Sequence, residues 1–97
     1  MTSATKGAQT LAALREELTE VDAALIALLQ RRVELARRVG AAKRADGLPV
    51  LDPKREAQVV AAAAREARLA GLPEESVRDI FWPVVALCRR VQQGDGT

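Results

Sequence analysis

The chain has 97 residues and a formal net charge of +2, and its composition is 48% hydrophobic and 29% charged. These values are ordinary for one small soluble domain and exclude a disordered chain. The absence of His and the presence of one Cys leave little room for zinc sites, disulfides or His-based catalysis. Because aromatic residues make up only 2% and charges of both signs are interleaved, we do not expect nucleic-acid binding.

The N-terminal segment MTSATKGAQT contains no apolar stretch of the kind that a signal peptide requires. No apolar run in the chain approaches transmembrane length. We therefore expect a cytoplasmic protein that does not associate with membranes. One domain is predicted at residues 11–93, with flexible tails at 1–10 and 94–97.

The first predicted helix is unusually long, and its apolar residues recur every three or four positions. They are Leu11, Leu14, Leu18, Val21, Leu25, Leu28, Leu35, Val39 and Ala42. This spacing predicts a helix from Leu11 to the segment around Gly47 and Pro49, which ends it. Roughly 34 residues span about 50 Å, whereas a domain of this size has a radius of gyration of about 13 Å. The far half of the helix therefore needs cover from another molecule, and we expect an obligate homodimer.

Two further helices follow, and no strand pattern is present, so the predicted fold class is all-α with three helices per chain. Asp52 suits the N-cap and Pro53 the first turn of the second helix, which Gly71 ends. Pro83 lies inside the third helix and is expected to kink it or to split it near Trp82. The predicted apolar stripe of the third helix is Val77, Ile80, Phe81, Val84, Cys88 and Val91.

Three cationic residues of the long helix are candidates for binding an anion. Arg32 interrupts the apolar stripe, and Lys43 points the same way three turns later, about 16 Å along the axis. Arg15 lies about 25 Å from Arg32, so it could join that site only from an antiparallel partner helix. Each has a structural alternative: an interhelix ion pair for Arg32, a solvated cation near the helix end for Lys43, and a surface pair with Glu16 or Glu17 for Arg15.

The shorter helices carry further candidates. Asp52, Arg55 and Glu56 occupy the first turn of the second helix, where an N-cap and ordinary first-turn charges would equally explain them. Cys88 and Gln92 form an i,i+4 pair on the third helix, where core packing and a surface amide are the alternatives. The set contains no nucleophile beside a base and no group of metal ligands.

Three stretches together resemble a known family. They are LREELTEVDAALIALLQRRVELARRVGAAK, GLPVLDPKRE and FWPVVALCRRVQ, which cover Leu14 to Gln92. This order resembles the AroQ, or type II, chorismate mutase family. The resemblance implies an intertwined all-α homodimer in which each of two sites takes one Arg from the other subunit. It also implies the Claisen rearrangement of chorismate to prephenate for phenylalanine and tyrosine synthesis, a pericyclic step that needs no cofactor or metal.

The resemblance assigns the cationic and amide residues to the dicarboxylate substrate. Lys43 and Gln92 would donate to the ether oxygen, where negative charge grows in the transition state. Arg32 and the partner subunit's Arg15 would bind the carboxylates, which suit a guanidinium fork. Lys43 would also touch a carboxylate.

The resemblance assigns three of the remaining residues to the opposite end of the substrate, and the fourth differs from the family pattern. Glu56 and the backbone near Asp52 would receive the C4 hydroxyl, and Arg55 would support that end. Cys88 stands where well-known members have Ser, a hydrogen-bonding group close to a substrate carboxylate. A thiol is a weaker donor than a hydroxyl, so we expect a weakened contact or a retuned pocket here.

Other functions remain alternatives to the chorismate mutase hypothesis. A 4-amino-4-deoxychorismate mutase performs the same rearrangement on the C4-amino analogue, and Glu56 could accept from either group. An isochorismate pyruvate lyase is less favoured because DPKRE retains the partner of the C4 hydroxyl. A non-catalytic helical dimerisation module would gain nothing from Arg32 at a buried seam. Some small members of the family depend on an activating partner enzyme, and the sequence does not show whether this chain does.

Overall fold

Three α-helices and no strand form in residues 9–94, which are the residues that the computed structural model describes. The helices are α1 (Leu11–Ala45), α2 (Pro53–Leu69) and α3 (Glu74–Gln92). The all-α prediction is therefore confirmed. Of the two predicted tails, residues 1–8 and 95–97 lie outside the described residues. Among residues 9–94, none of the helices has an apolar stretch that could span a bilayer.

Local capping interactions set the helix boundaries. The Thr10 hydroxyl accepts a hydrogen bond from the Ala13 backbone N–H at 3.0 Å, which caps the start of α1. Gly47 and Gly71 adopt φ values of +69° and +77° just after α1 and α2. In both cases the backbone N–H of the residue after the glycine donates to a carbonyl in the last turn of the helix. Leu48 donates to the carbonyl of Lys43 and Leu72 to that of Ala67, both at 2.8 Å. Both ends are Schellman motifs, in which glycine at the left-handed position is favoured.

The chain divides after Arg31 into two compact units. The first contains the N-terminal part of α1, and its apolar stripe is between 41% and 64% exposed in the single chain. The residues of this stripe, which we call the exposed stripe, are Leu11, Leu14, Leu18, Val21, Leu25 and Leu28. This is the face that the sequence predicts to be covered by another molecule.

The second unit contains the rest of α1 together with α2 and α3, and its interior is built from small side chains. Its buried hydrophobic residues are Ala36, Val60, Ala63, Ala64, Ala67, Val85, Cys88 and Val91. Ala and Val allow helices to approach closely, and at Gly40 the backbone of α1 lies close to the end of α3. A Cβ atom added there would lie 2.8 Å from the backbone oxygen of Gln92.

Helix α3 differs from its prediction in two respects. It runs unbroken through Pro83, so the predicted split near Trp82 does not occur. Proline removes one backbone hydrogen bond, but tertiary packing outweighs such local preferences: Phe81 before it is half-buried and Val85 after it is buried. Ile80 is 59% exposed, because it lies at the edge of the buried stripe rather than at its centre.

Candidate active site

A cavity of about 460 Å³ opens within the second unit, between the C-terminal part of α1, the start of α2 and the end of α3. Its volume lies in the range typical of small-molecule sites, roughly 300–1,000 Å³. Seven of the eight predicted site residues line it: Arg32, Lys43, Asp52, Arg55, Glu56, Cys88 and Gln92. Within residues 9–94, Arg15 is the one predicted site residue that is not part of the lining.

Lys43 is held by two hydrogen bonds at the edge of this cavity. Its Nζ donates to the backbone oxygen of Val50 at 2.9 Å and to Oε1 of Gln92 at 3.2 Å. An ammonium group has three N–H bonds, so one remains for a ligand. The two contacts fix the direction of the long side chain and reduce the entropy lost when a ligand binds.

Gln92 is fixed through both its side chain and its backbone. Because Lys43 can only donate, the amide oxygen of Gln92 faces the ammonium, and the amide NH₂ group of this lining residue is left as a donor. The backbone oxygen of Gln92 accepts from Nη1 of Arg44 at 2.8 Å. Gly40 completes this arrangement, since only a residue without a Cβ atom leaves room for the Gln92 backbone. The last residue of α3 is thus positioned by α1.

Arg32 is half-buried and contacts Cys88 across the cavity wall. Its Nη1 donates to the Cys88 Sγ at 2.9 Å, while Cys88 itself is buried within the core cluster that includes Ala36 and Val91. A guanidinium carries five N–H donors, so this contact orients the side chain and leaves most donors for an anion. The place of Arg32 on the apolar stripe of α1 suggested a buried residue, whereas the side chain is only half-buried. Its partner in the chain is a thiol rather than a carboxylate.

At the opposite end of the cavity, Asp52 both caps α2 and lines the site. Its Oδ1 accepts from the backbone N–H of Arg55 at 3.1 Å, as the sequence predicts for an N-cap. The N-cap interpretation of Asp52 is therefore confirmed, and its role in binding a ligand stays a prediction. Arg55 also lines the cavity.

Glu56 makes a bidentate ion pair that sequence reasoning missed. Arg89 donates from Nε to Oε2 at 2.9 Å and from Nη2 to Oε1 at 3.0 Å. The hydrogen bond and the charge of Glu56 raise the pKa of the Arg89 guanidinium. The segment CRRVQ did place an arginine beside Cys88, but nothing in it showed that Arg89 rather than Arg90 faces α2.

Three cationic and two acidic side chains line the cavity, and one of the acidic groups is already paired with Arg89. The excess positive charge lies around Arg32 and Lys43, which favours an anionic ligand there. Among residues 9–94, no three His, Cys, Asp or Glu side chains form a metal-ligand group. The fold and the site thus define an all-α protein with a cavity suited to a small anion that also carries a hydrogen-bonding group.

Comparison with known families agrees with this description. The family described as chorismate mutase type II matches residues 14–93. The chain therefore belongs to the type II chorismate mutase family, which confirms the resemblance stated from the sequence.

Individual relatives are mostly much longer proteins. The T-protein of Enterobacter agglomerans is 41% identical over 71 residues, which cover 73% of this chain and 19% of that protein. The 3-dehydroquinate dehydratase of Pyrobaculum aerophilum is 43% identical over 82 residues, or 84% of this chain and 24% of that protein. The 4-amino-4-deoxychorismate mutase of Streptomyces pristinaespiralis is 36% identical over 80 residues, which cover 81% of this chain and 62% of that protein. The chain spans about a quarter or less of the first two relatives. No solved structure matches it.

Proposed function

We propose that this chain catalyses the Claisen rearrangement of chorismate to prephenate. The observation that carries the proposal is the Lys43–Gln92 contact, which holds an ammonium group and an amide side by side in the lining of one cavity. In the rearrangement, the ether C–O bond breaks while a C–C bond forms within the same molecule. Negative charge develops on the ether oxygen as that bond stretches. Two fixed donors near this oxygen stabilise the transition state more than the substrate and so lower the barrier.

The substrate's carboxylates account for the arginines. Arg32 would bind one carboxylate with the N–H groups that do not contact Cys88, and the cavity walls would hold the reacting ends together. The second carboxylate would be bound by the partner subunit's Arg15. The exposed stripe supports the homodimer that this requires, because a second copy packed on it would remove a continuous apolar surface from water.

The ring hydroxyl accounts for the acidic end of the cavity. Glu56 would accept a hydrogen bond from the C4 hydroxyl, and the backbone near Asp52 would contact the same hydroxyl through its oxygen, with Arg55 beside them. The rearrangement is a concerted step within one molecule, so the proposed reaction needs neither a protein nucleophile or base nor a cofactor. The cytoplasmic location and the role in phenylalanine and tyrosine synthesis stay predictions.

A second candidate is the same rearrangement of 4-amino-4-deoxychorismate. The chain matches 62% of the length of the Streptomyces pristinaespiralis protein of that name, a larger share than for the T-protein or the 3-dehydroquinate dehydratase. A carboxylate such as Glu56 can accept from an amine as well as from a hydroxyl. Steady-state assays with both substrates, with the product identified by chromatography, decide between them. Turnover of the amino analogue without turnover of chorismate would reject the first proposal in favour of the second.

Removing either donor tests the mechanism. We expect Lys43→Ala and Gln92→Ala each to lower kcat/KM for chorismate by about 10²–10³-fold, as for the loss of an oxyanion-hole donor. The matched controls are Lys54→Ala and Gln93→Ala, which truncate exposed residues of the same types. Turnover at the wild-type rate in both Lys43→Ala and Gln92→Ala would show that these donors do not act on the reacting atoms.

A further inference from the structure

Arg89 occupies an unusual position relative to the cavity. Within residues 9–94, the lining includes Glu56 but not Arg89. The Arg89 guanidinium nevertheless binds both carboxylate oxygens of Glu56, at 2.9 and 3.0 Å. The Glu56 side chain is only 18% exposed and that of Arg89 34% exposed. Arg89 therefore acts on the cavity through Glu56.

The bidentate contact fixes the orientation of the carboxylate. A carboxylate has about four lone-pair positions, of which Arg89 occupies two, one on each oxygen. The remaining positions can accept a donor from a ligand. Because the planar fork allows little rotation, a donor group of the ligand must approach from a defined direction.

The contact also neutralises the charge at this end of the cavity. Asp52 and Glu56 contribute two negative charges, and Arg55 contributes one positive charge to the lining. With Arg89 included, the positive and negative charges balance. Without Arg89, this end would carry a net negative charge and would attract a cation.

We propose that Arg89 is a positioning residue that makes the site prefer a neutral hydroxyl over an ammonium group at C4 of the substrate. This inference rests on the proposed function. An aliphatic amine is protonated near neutral pH, as the pKa of lysine illustrates. An ammonium group would therefore lose most of its attraction to Glu56 and would also be repelled by Arg89. A hydroxyl needs only the acceptor lone pairs that Arg89 leaves in place.

The test compares kcat/KM for chorismate and for 4-amino-4-deoxychorismate in wild type and variants. Wild type is expected to prefer chorismate. Arg89→Gln should lower the ratio of chorismate to amino-analogue kcat/KM by roughly tenfold, because the C4 end then carries negative charge. Arg89→Met is a second neutral variant that retains packing of the side-chain stem. Arg90→Gln, which changes the exposed neighbouring arginine, should leave the ratio unchanged.

Arg89→Lys separates charge from orientation. It keeps the positive charge but loses the fork, so the preference for chorismate should be retained while kcat/KM for chorismate falls. A purely structural role would lower turnover of both substrates equally in every variant, and that result would overturn the inference. A wild type that prefers the amino analogue would overturn it as well. Turnover of neither substrate by wild type would defeat the proposed function together with this inference, whereas an unchanged ratio in an active Arg89→Gln variant would defeat the inference alone.

Discussion

Replacing Gly40 with alanine tests how closely the end of α3 must approach α1. The new Cβ atom would lie 2.8 Å from the backbone oxygen and 3.0 Å from Cα of Gln92, whereas ordinary contacts are 3.4 Å or longer. Both close atoms belong to the backbone, so no side-chain rotation relieves the overlap. The Gln92 backbone must therefore move away from α1 by about half an ångström or more.

The stability and the activity of Gly40→Ala are expected to respond differently. Alanine gains about 1 kcal/mol over glycine in a helix interior, while overpacking costs typically 1–3 kcal/mol. The net change in the free energy of unfolding is then a loss of no more than about 2 kcal/mol. Activity should fall further, because the displacement moves the Gln92 amide and strains its contact with Lys43. Misplacement by 1 Å can cost about 10²-fold in rate, so we expect kcat/KM to fall by roughly tenfold.

The assay pairs steady-state kinetics on chorismate with thermal unfolding of the same preparations. Gly47→Ala is the matched control, because it places a side chain at φ +69° but meets no heavy atom within 4 Å. It should lose stability from backbone strain and keep its kcat/KM once folded. Wild-type kcat/KM in Gly40→Ala, or an equal loss in Gly47→Ala, would refute the link between Gly40 and the position of Gln92.

The N-cap of α2, the exposed stripe and the contact to the Gln92 carbonyl can each be tested by mutation. Asp52→Ala should lower the free energy of unfolding by about 1 kcal/mol in denaturant titration, because α2 loses its N-cap; Asp52→Ser should restore most of it, and equal stability of the two variants would argue against capping. Leu18→Glu combined with Leu25→Glu should shift the chain from dimer to monomer in sedimentation at concentrations where wild type is dimeric, because both residues belong to the exposed stripe; an unchanged dimer would place the interface elsewhere. Arg44→Ala removes the donor to the Gln92 carbonyl and should lower kcat severalfold without unfolding the protein. An unchanged kcat would show that the close approach at Gly40 suffices to position the end of α3.

The helix boundaries could be predicted from sequence because their signals are local. Asp52 caps α2 by accepting from the backbone N–H three residues later. Gly71 lies two residues after the end of α2, and its N–H donates back to the carbonyl of Arg68. Such interactions depend only on neighbouring residues and need no knowledge of tertiary packing. The effect of Pro83 was predicted less well. Its local cost opposes helix formation, but packing on either side keeps α3 continuous.

The site was only partly accessible to sequence reasoning. Helix periodicity placed Arg32 and Lys43 on one face, and both line the cavity. The bidentate pair of Glu56 with Arg89 joins residues 33 apart in the chain, and the contact of Arg32 with Cys88 joins residues 56 apart. Periodicity shows which residues share a helix face but not which residue of another helix they meet. Those pairings depend on how α1, α2 and α3 pack.

We propose that each cavity is completed by an arginine from a second copy of the chain. Arg15→Ala and Arg32→Ala chains, each carrying a different affinity tag, are purified, mixed, unfolded and refolded together, and the mixed dimers are isolated through both tags. Each parent variant is expected to be nearly inactive on chorismate. The mixed dimer should regain activity, because one of its two sites combines an intact Arg32 with the partner's Arg15. Verified mixed dimers as inactive as their parents would show that Arg15 is not supplied by the partner subunit.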